Sequence, residues 1–169
     1  MEKNKKIALL PLQLQYCEEV YAIAKESLPE HWSLAGIQDV LKYKNNLFFV
    51  AIETNGLTKH ILSEDDTLTE MTGIVGFIGI MVIDKEAELL NIAVRPKYRR
   101  QGIAEQLLER GILAAKENTA ERMLLEVRQS NTAAQQLYAK YQFSVIGKRK
   151  NYYQNPNEDA LIMEKRLGE

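Results

Sequence analysis

The segment from residue 86 to residue 127 constrains the fold most, because four patterns follow one another there without a break. Glu86–Val94 has the apolar composition of a strand, and Pro96 ends its pairing. From Ile103 onward apolar residues recur at helical spacing, and RMLLEV (122–127) reads as a buried strand. A strand, a helix and a second strand in this order predict a parallel pair with a right-handed crossover.

The rest of the chain supplies five more strands and three more helices. We predict strands at 7–10, 46–53, 71–83, 143–153 and 160–167, and helices at 14–27, 34–44 behind an N-cap at Ser33, and 131–141. Consecutive strands should pair as antiparallel hairpins, one of them at Asp84-Lys85. Residues 54–70 are polar and acidic and predict a long exposed loop. The order β-α-α-β-β-β-α-β-α-β-β indicates a mixed α/β sheet with helices on both faces.

Composition bounds the class of protein. A chain of 169 residues predicts one domain, 1–169, and a net charge of −1 gives no general reason to expect nucleic-acid binding. Cys17 is the only cysteine, which fits a reducing compartment. The longest apolar run, residues 73–83, is too short to span a bilayer, and the N-terminus does not resemble a signal peptide. We therefore expect a cytoplasmic protein with no membrane partner.

A basic turn stands between the first strand and the helix of the 86–127 segment. Its positive residues are Arg95, Lys97, Arg99 and Arg100. A helix N-terminus presents unsatisfied N–H groups and a partial positive charge, which suit a phosphate. Gly102 has no Cβ and would let a diphosphate approach the backbone. Neither GxxxxGK[ST] nor GxGxxG is present, so a solvated basic turn also fits this pattern.

RRQGIA (99–104) and LLEVRQSNTAAQQLYAKYQF (124–143) together resemble the GNAT acetyltransferase superfamily, whose loop signature is Q/R-x-x-G-x-G/A. The blocks LLNIAVRPKYRRQGIA, LLEVRQSNTAAQQLY, RKNYY and EDALIM resemble its RimI type, bacterial enzymes that acetylate the N-terminal alanine of a small-subunit ribosomal protein. The resemblance implies a GNAT fold with a mixed, mostly antiparallel sheet of about seven strands, and acetyl-CoA as co-substrate. It covers most of residues 86–164. Two departures are Gln142, where the family usually has glycine, and the long loop 54–70.

The resemblance also assigns residues to the donor. The strand edge whose backbone would bind the pantetheine arm and the thioester carbonyl consists of Ile92, Ala93 and Val94. The turn that would bind the pyrophosphate consists of Arg99, Arg100, Gln101, Gly102, Ile103, Ala104 and Glu105. Asn131 would donate a side-chain hydrogen bond to the coenzyme, although Asn131 or Ser130 could also simply cap the following helix.

Two residues carry the chemistry that the resemblance implies. Glu126 lies in an otherwise apolar strand, where a carboxylate is paired, faces solvent at an edge, or serves catalysis; in the RimI type this position is the general base. Tyr138 is the general acid by family position, although a tyrosine on this helix face is more often a core residue. A desolvated Glu126 with a raised pKa could take the proton of the attacking amine. Cys17 lies outside the matching blocks, so we expect direct attack.

The sequence indicates the residues that would contact the acetyl acceptor less specifically than those of the donor site. Trp32, Tyr152 and Tyr153 could line a slot for a peptide N-terminus, or they could be core or oligomer contacts. Residues 148–150, Lys-Arg-Lys, predict a solvated strand edge, and no metal-ligand spacing appears. The resemblance implies transfer to a protein N-terminus by a monomer or homodimer. A small-molecule amine as acceptor, or a non-catalytic acyl-CoA-binding regulator, remains an alternative.

Overall fold

The computed structural model describes residues 6–54 and 71–168, which form one seven-stranded sheet with four α-helices. The elements are β1 Lys6–Pro11, α1 Cys17–Ser27, α2 Leu34–Val40, β2 Asn46–Thr54, β3 Met71–Ile83, β4 Glu86–Val94, α3 Ile103–Glu117, β5 Arg122–Arg128, α4 Thr132–Lys140, β6 Ser144–Gln154 and β7 Asn157–Arg166. The strand order is β1-β2-β3-β4-β5-β7-β6. β4 and β5 pair in parallel, and the other neighbours are antiparallel. The predicted fold class and element order are confirmed.

Three predicted boundaries were wrong. The first predicted helix starts as a short 3-10 turn, Leu14–Tyr16, and becomes α-helical only at Cys17. α2 begins behind the predicted cap, where Ser33 Oγ accepts the Gly36 N–H at 3.1 Å, but it ends at Val40. The Asn46 side chain donates to the Val40 carbonyl at 3.3 Å, which satisfies a helix-terminal acceptor and turns the chain into β2. Thr54, predicted to start the acidic loop, is the buried last residue of β2; residues 55–70 lie outside the described residues.

Two hydrophobic cores lie on opposite faces of the sheet. On one face, α3 contributes Leu107 and Leu108, and its backbone comes so close at Gly111 that a Cβ there would lie 2.4 Å from Ile80 Cδ1. On the other face, α1 and α2 pack against β2, β3 and β4 through side chains such as Val20 and Ile37. Within the described part of the chain, this second core includes no residue of β5, β6 or β7. The outer face of those three strands therefore carries no helix layer.

α4 joins the α3 side of the sheet. Its end is tied to α3 by an ion pair between Lys140 Nζ and Glu105 at 2.7 Å and by a hydrogen bond from the Tyr141 hydroxyl to Glu109 at 2.6 Å. Tyr141 also packs against the core, as predicted. Gln142 has a φ of 67°. It therefore keeps the left-handed turn that glycine would adopt without strain.

Candidate active site

An opening lies between β4 and β5. Their parallel pairing covers Glu86–Leu89 and Arg122–Leu125 and stops there. One residue further, a bulge disturbs the pairing of β4 with β3 at Gly79/Ile80. A bulge bends and twists the strand that carries it, which accounts for the divergence of the two strands. The remainder of each strand keeps a neighbour on its outer side only, so one edge of β4 and one edge of β5 face each other across a gap.

The predicted pantetheine-binding edge lies along this gap. Ile92, Ala93 and Val94 pair with β3, and among the described residues no strand pairs with them on the β5 side. The Val94 carbonyl already accepts a hydrogen bond from Arg99 Nε at 3.1 Å. The backbone of Ile92 and Ala93 is thus better available to an extended ligand arm than the carbonyl of Val94.

The basic turn ends at the N-terminus of α3, beside the same gap. Gly102 is the N-cap, with a φ of 76°, and no side chain caps the helix start. A Cβ added at Gly102 would meet no atom within 4 Å, so the helix start is open to a ligand on that side. The first N–H groups of the helix have no acceptor in the preceding turn. The turn predicted to bind the diphosphate therefore leads into an uncapped helix start that is open at Gly102.

The four basic residues of the turn do not act alike. Arg95 donates from Nε to the Ile74 carbonyl at 2.9 Å and pairs with Glu26 of α1 at 3.2 Å. Its guanidinium therefore holds α1 against β3. Lys97 lies over the Tyr98 ring at 5.1 Å. Arg100 is exposed and has a φ of 61°.

Two further coenzyme candidates have structural partners. The carboxylate of Glu105 pairs with Lys140 at 2.7 Å, so Glu105 can offer a phosphate only its backbone N–H. Asn131, and not Ser130, caps α4, since its Oδ1 accepts the Ala134 N–H at 3.1 Å. This cap leaves the Asn131 side-chain amide nitrogen as the donor toward a ligand.

Glu126 lies on β5 directly after the last residue that pairs with β4. Its carboxylate is largely buried and contacts the Arg149 Nε of β6 at 2.8 Å. The pKa of Tyr152 is raised chiefly by the interaction of its hydroxyl with this carboxylate. Of the three readings that the sequence left open for Glu126, the structure thus shows a paired carboxylate. The predicted solvated edge at 148–150 is confirmed, since β6 is an edge strand and all three residues are exposed, although Arg149 also reaches back across β7 to Glu126.

Glu88 of β4 is a neighbour that sequence reasoning missed. Its pKa is raised, first by burial and then by the charges of Glu126 and Glu86, while Arg149 opposes the rise. The signal was present in the sequence, because Glu86 and Glu88 alternate along β4 and so share a face. Only the parallel register, in which Glu88 lies opposite Leu124, brings that face beside Glu126.

Tyr138 is buried, with 4% of its surface exposed, and its ring packs on Phe143 at 5.8 Å between centroids. Burial raises the pKa of Tyr138, and Tyr153 raises it further. The pKa of Tyr153 is raised to about 12, first by burial and then by the charges of Glu126 and Tyr152. Tyr138 is therefore a core residue, which was the alternative to a catalytic role. Its pKa depends on Tyr153, whose own pKa depends on Glu126.

The three aromatic acceptor candidates form two groups. Tyr152 and Tyr153 are in edge-to-face contact at 5.1 Å. Trp32 lies instead against Phe48 at 5.8 Å and lines an apolar pocket that reaches Asn91 of β4. The two groups lie on different elements, the loop before α2 and the end of β6.

Arg128, a second residue that sequence reasoning missed, connects those two elements. Its guanidinium pairs with Glu30 of the Trp32 loop at 2.8 Å and with Glu158 of β7 at 3.2 Å. It also donates to the carbonyls of Asn155 and Pro156 and lies over the Tyr153 ring at 4.2 Å. A buried arginine with this number of acceptors fixes the loop before α2 against the β6–β7 turn.

Metal binding and membrane insertion each require a recognisable structural feature. Across residues 6–54 and 71–168, no group of three His, Cys, Asp or Glu side chains could hold a metal ion. In the same ranges no helix has both the length and the apolar character needed to cross a membrane. Cys17 is fully buried in α1, where burial raises the pKa of its thiol.

Comparison with known proteins identifies relatives over nearly the whole chain. Residues 17–143 match the model of the acetyltransferase (GNAT) family. A Bacillus subtilis protein named provisionally as a ribosomal protein bS18-alanine N-acetyltransferase is 34% identical, with 94% of each chain covered. An N-alpha-acetyltransferase of Saccharolobus solfataricus is 31% identical over 98% of this chain and 96% of its own.

A solved structure agrees with these sequence relatives. The crystal structure of the ribosomal-protein-S18-alanine N-acetyltransferase from Escherichia coli superposes with a TM-score of 0.79 at 27% identity. The match covers 97% of this chain and 96% of that one.

Proposed function

The chain belongs to the acetyltransferase (GNAT) family and is an acetyl-CoA-dependent N-acetyltransferase, and from that premise we propose that it acetylates the N-terminal α-amine of a protein. We infer direct attack by the amine, with Glu126 as the base and Tyr138 as the acid. The acceptor in this proposal is the N-terminal alanine of the small-subunit ribosomal protein bS18. The whole chain, 1–169, acts as a single domain.

The gap between β4 and β5 is the observation that carries the proposal. It ends at the open start of α3 on one side, which suits the diphosphate of the donor. The backbone of Ile92 and Ala93 lies along it and suits the pantetheine arm and the thioester carbonyl. A backbone N–H aimed at that carbonyl would stabilise the negative charge that develops on its oxygen. Arg99, Arg100 and the Asn131 amide complete the donor site in this proposal.

Glu126 would receive the proton of the attacking amine. An α-amine has a reference pKa of about 7.7–8.0, so that at neutral pH much of it is protonated and cannot attack. A largely buried carboxylate beside the gap can take that proton directly or through a water molecule. As the new N–C bond forms, the C–S bond of the thioester breaks and the sulfur receives a proton.

Tyr138 would supply the hydrogen at the sulfur. Burial keeps its pKa above the ordinary value, so the phenol stays protonated at any physiological pH. A phenol is a weaker acid than a thiol, so its first effect is to stabilise the developing thiolate by hydrogen bonding.

The open face of β5, β6 and β7 supports a polymer acceptor. No helix of the described chain covers it, and Tyr152 and Tyr153 stand at its end. An extended peptide can lie on such a face, and its N-terminus would meet Glu126. The names of the relatives also support a protein N-terminus, since three of them are N-terminal acetyltransferases, two of these for bS18 alanine. Because ribosomal proteins are made in the cytoplasm of bacteria, we propose a cytoplasmic enzyme.

The test is acetyl transfer measured by mass spectrometry. We expect one acetyl group on the N-terminus of a peptide that copies the start of bS18, and none on the same peptide with a blocked N-terminus. A peptide that starts with another residue tests the breadth of the acceptor. Acetylation of a polyamine with no acetylation of the peptide would overturn the proposed acceptor and favour a small-molecule substrate.

Two variants test the assigned roles. Glu126→Gln keeps the shape of the side chain and should lower kcat by about a hundredfold or more. Tyr138→Phe removes only the hydroxyl and should lower kcat with little change in the KM for the peptide. Unchanged turnover in either variant would remove that residue from the mechanism, and no activity in the parent protein would support a regulator that only binds acyl-CoA.

A further inference from the structure

Strand β6 contains a large bulge opposite a single residue of β7. Arg149 pairs with Ala160 and Tyr153 pairs with Glu158, so three residues of β6 stand opposite Asp159 alone. Asp159 holds the bulge in place: one carboxylate oxygen accepts the Asn151 N–H at 2.9 Å, and the other pairs with Lys148 at 2.7 Å. Asn151 itself has a φ of 52°, a conformation that asparagine tolerates better than most residues.

The bulge changes where two side chains point. Arg149 and Tyr152 are three positions apart, so in a regular strand they would lie on opposite faces of the sheet. Here both reach Glu126, which lies on β5 two strands away. Arg149 Nε contacts the carboxylate at 2.8 Å, and the guanidinium lies 5.6 Å from the Tyr152 ring centre. Interaction with the same carboxylate is the main cause of the raised pKa of Tyr152.

We propose that Arg149 and Tyr152 are positioning residues for Glu126, an inference that rests on the proposed role of Glu126 as the base. Two donors from one bulge hold the carboxylate in a single orientation beside the gap. The bulge is thus part of the catalytic apparatus, although neither residue needs to touch the substrate.

The other charges near Glu126 show why a cation is needed there. Glu88 faces it from β4, with Glu86 further along the same strand. Three residues of β6 also face Glu126, namely Arg149, Tyr152 and Tyr153. Burial and the two neighbouring carboxylates make Glu88 easier to protonate and raise its pKa, while Arg149 opposes this rise. Arg149 is the one group in this set that offsets the repulsion between the carboxylates.

Replacing Arg149 by Gln should therefore affect the chemical step. We expect kcat to fall by about ten- to a hundredfold, with a much smaller change in the KM for the bS18 peptide. The acidic limb of the kcat/KM profile should move to higher pH, because Arg149 opposes the raised pKa of Glu88 and its loss removes the positive charge from beside the carboxylates. Arg149→Lys should restore part of the kcat that Arg149→Gln loses. Tyr152→Phe should lower kcat less than Arg149→Gln does, and it should move the acidic limb by a smaller amount.

A double-mutant cycle separates this inference from the proposed function. Because Arg149 acts through Glu126, adding Arg149→Gln to Glu126→Gln should cost no further activity. Additive losses, or an unchanged pH profile in Arg149→Gln, would overturn the positioning role while Glu126 stayed the base. If Glu126→Gln alone kept full activity, the proposed base and this inference would both fail.

The matched control is Arg166→Gln, which removes one arginine from the neighbouring strand β7. Arg166 is highly exposed and lies 3.9 Å from Glu164. We expect wild-type kcat, KM and pH profile from this variant. A loss equal to that of Arg149→Gln would show that the effect comes from net charge alone and would overturn the inference.

Discussion

Arg128 and Glu30 are 98 residues apart in the sequence, and their side chains meet at 2.8 Å. The ion pair connects the end of β5 with the loop before α2, which also carries Trp32. The Arg128 side chain is only 12% exposed, whereas that of Glu30 is 45% exposed, so a largely buried guanidinium meets a carboxylate at the surface. Through its further contacts with Glu158 and Tyr153, Arg128 joins the two elements that carry the acceptor candidates.

Replacing Arg128 by Lys should weaken peptide binding more than acetyl-CoA binding. Lysine cannot reproduce the planar fork that contacts Glu30, Glu158 and two carbonyls together. We expect the KM for the bS18 peptide to rise about tenfold and the free energy of unfolding to fall by about 1–3 kcal/mol. Steady-state kinetics with each substrate varied in turn, together with urea unfolding, measure both effects.

Arg110→Lys is the matched control for that experiment. Arg110 on α3 also pairs with one carboxylate, Glu117 at 3.2 Å, and lies over one ring, Phe49 at 4.3 Å. It is remote from the proposed peptide slot, so its variant should leave the KM for the peptide unchanged. An equal rise of both KM values in Arg128→Lys would contradict a specific role for Arg128 in the acceptor site.

Gln142→Gly should stabilise the protein. Gln142 has a φ of 67°, where a side chain is strained and glycine is not. Relief of that strain should raise the free energy of unfolding by about 1 kcal/mol, less the small entropic cost of glycine in the unfolded chain. Urea or thermal unfolding measures the change. Gln136→Gly, at an exposed site inside α4, should act in the opposite direction by about 1 kcal/mol.

Gly102→Ala should impair binding of the donor. The φ of 76° is unfavourable for alanine, and the added methyl group would point into the open side where the diphosphate is expected. A penalty of about 1–2 kcal/mol corresponds to about a tenfold rise in the KM for acetyl-CoA. Gly168→Ala also adds a methyl group in open space, but without a positive φ, and should change nothing. A normal KM in Gly102→Ala would argue against the proposed diphosphate site.

The buried tyrosines should make the protein sensitive to alkali. The pKa values of Tyr138 and Tyr153 are raised on folding, chiefly by burial, and that of Tyr153 reaches about 12. Above pH 10 or so, an unfolded chain has lost these protons while the folded protein still holds them. Folding stability is therefore complete below that pH and falls as the pH rises toward 12.

Urea unfolding at increasing pH measures this loss. The free energy of unfolding of Tyr153→Phe should fall less steeply between about pH 10 and 12 than that of the wild type, since one shifted proton is absent. An exposed tyrosine, Tyr43, supplies the control through Tyr43→Phe, which should keep the wild-type slope. Identical slopes in all three proteins would contradict the shifted pKa of Tyr153.

Local patterns in the sequence were sufficient for most of the fold. Strand and helix periodicity around the 86–127 segment predicted the element order and the parallel pair, because burial of an apolar face depends on spacing along the chain. The cap at Ser33 and the turn at Asp84-Lys85 were also correct. Helix ends were less predictable, since the stop at Val40 depends on a hydrogen bond from Asn46 that belongs to the next strand.

The sequence by itself determined the family, and it supplied the proposed donor loop at Gly102 and the two candidate catalytic residues, because these depend on residue types at short fixed spacing. Only the tertiary structure decided which charges serve the site. In the folded protein Arg95 pairs with Glu26 of α1, and Glu30 pairs with Arg128. The bulge in β6 places Arg149 and Tyr152 beside Glu126. These partners are set by strand order and register, which bring together residues that are far apart along the chain, and no local pattern encodes that proximity.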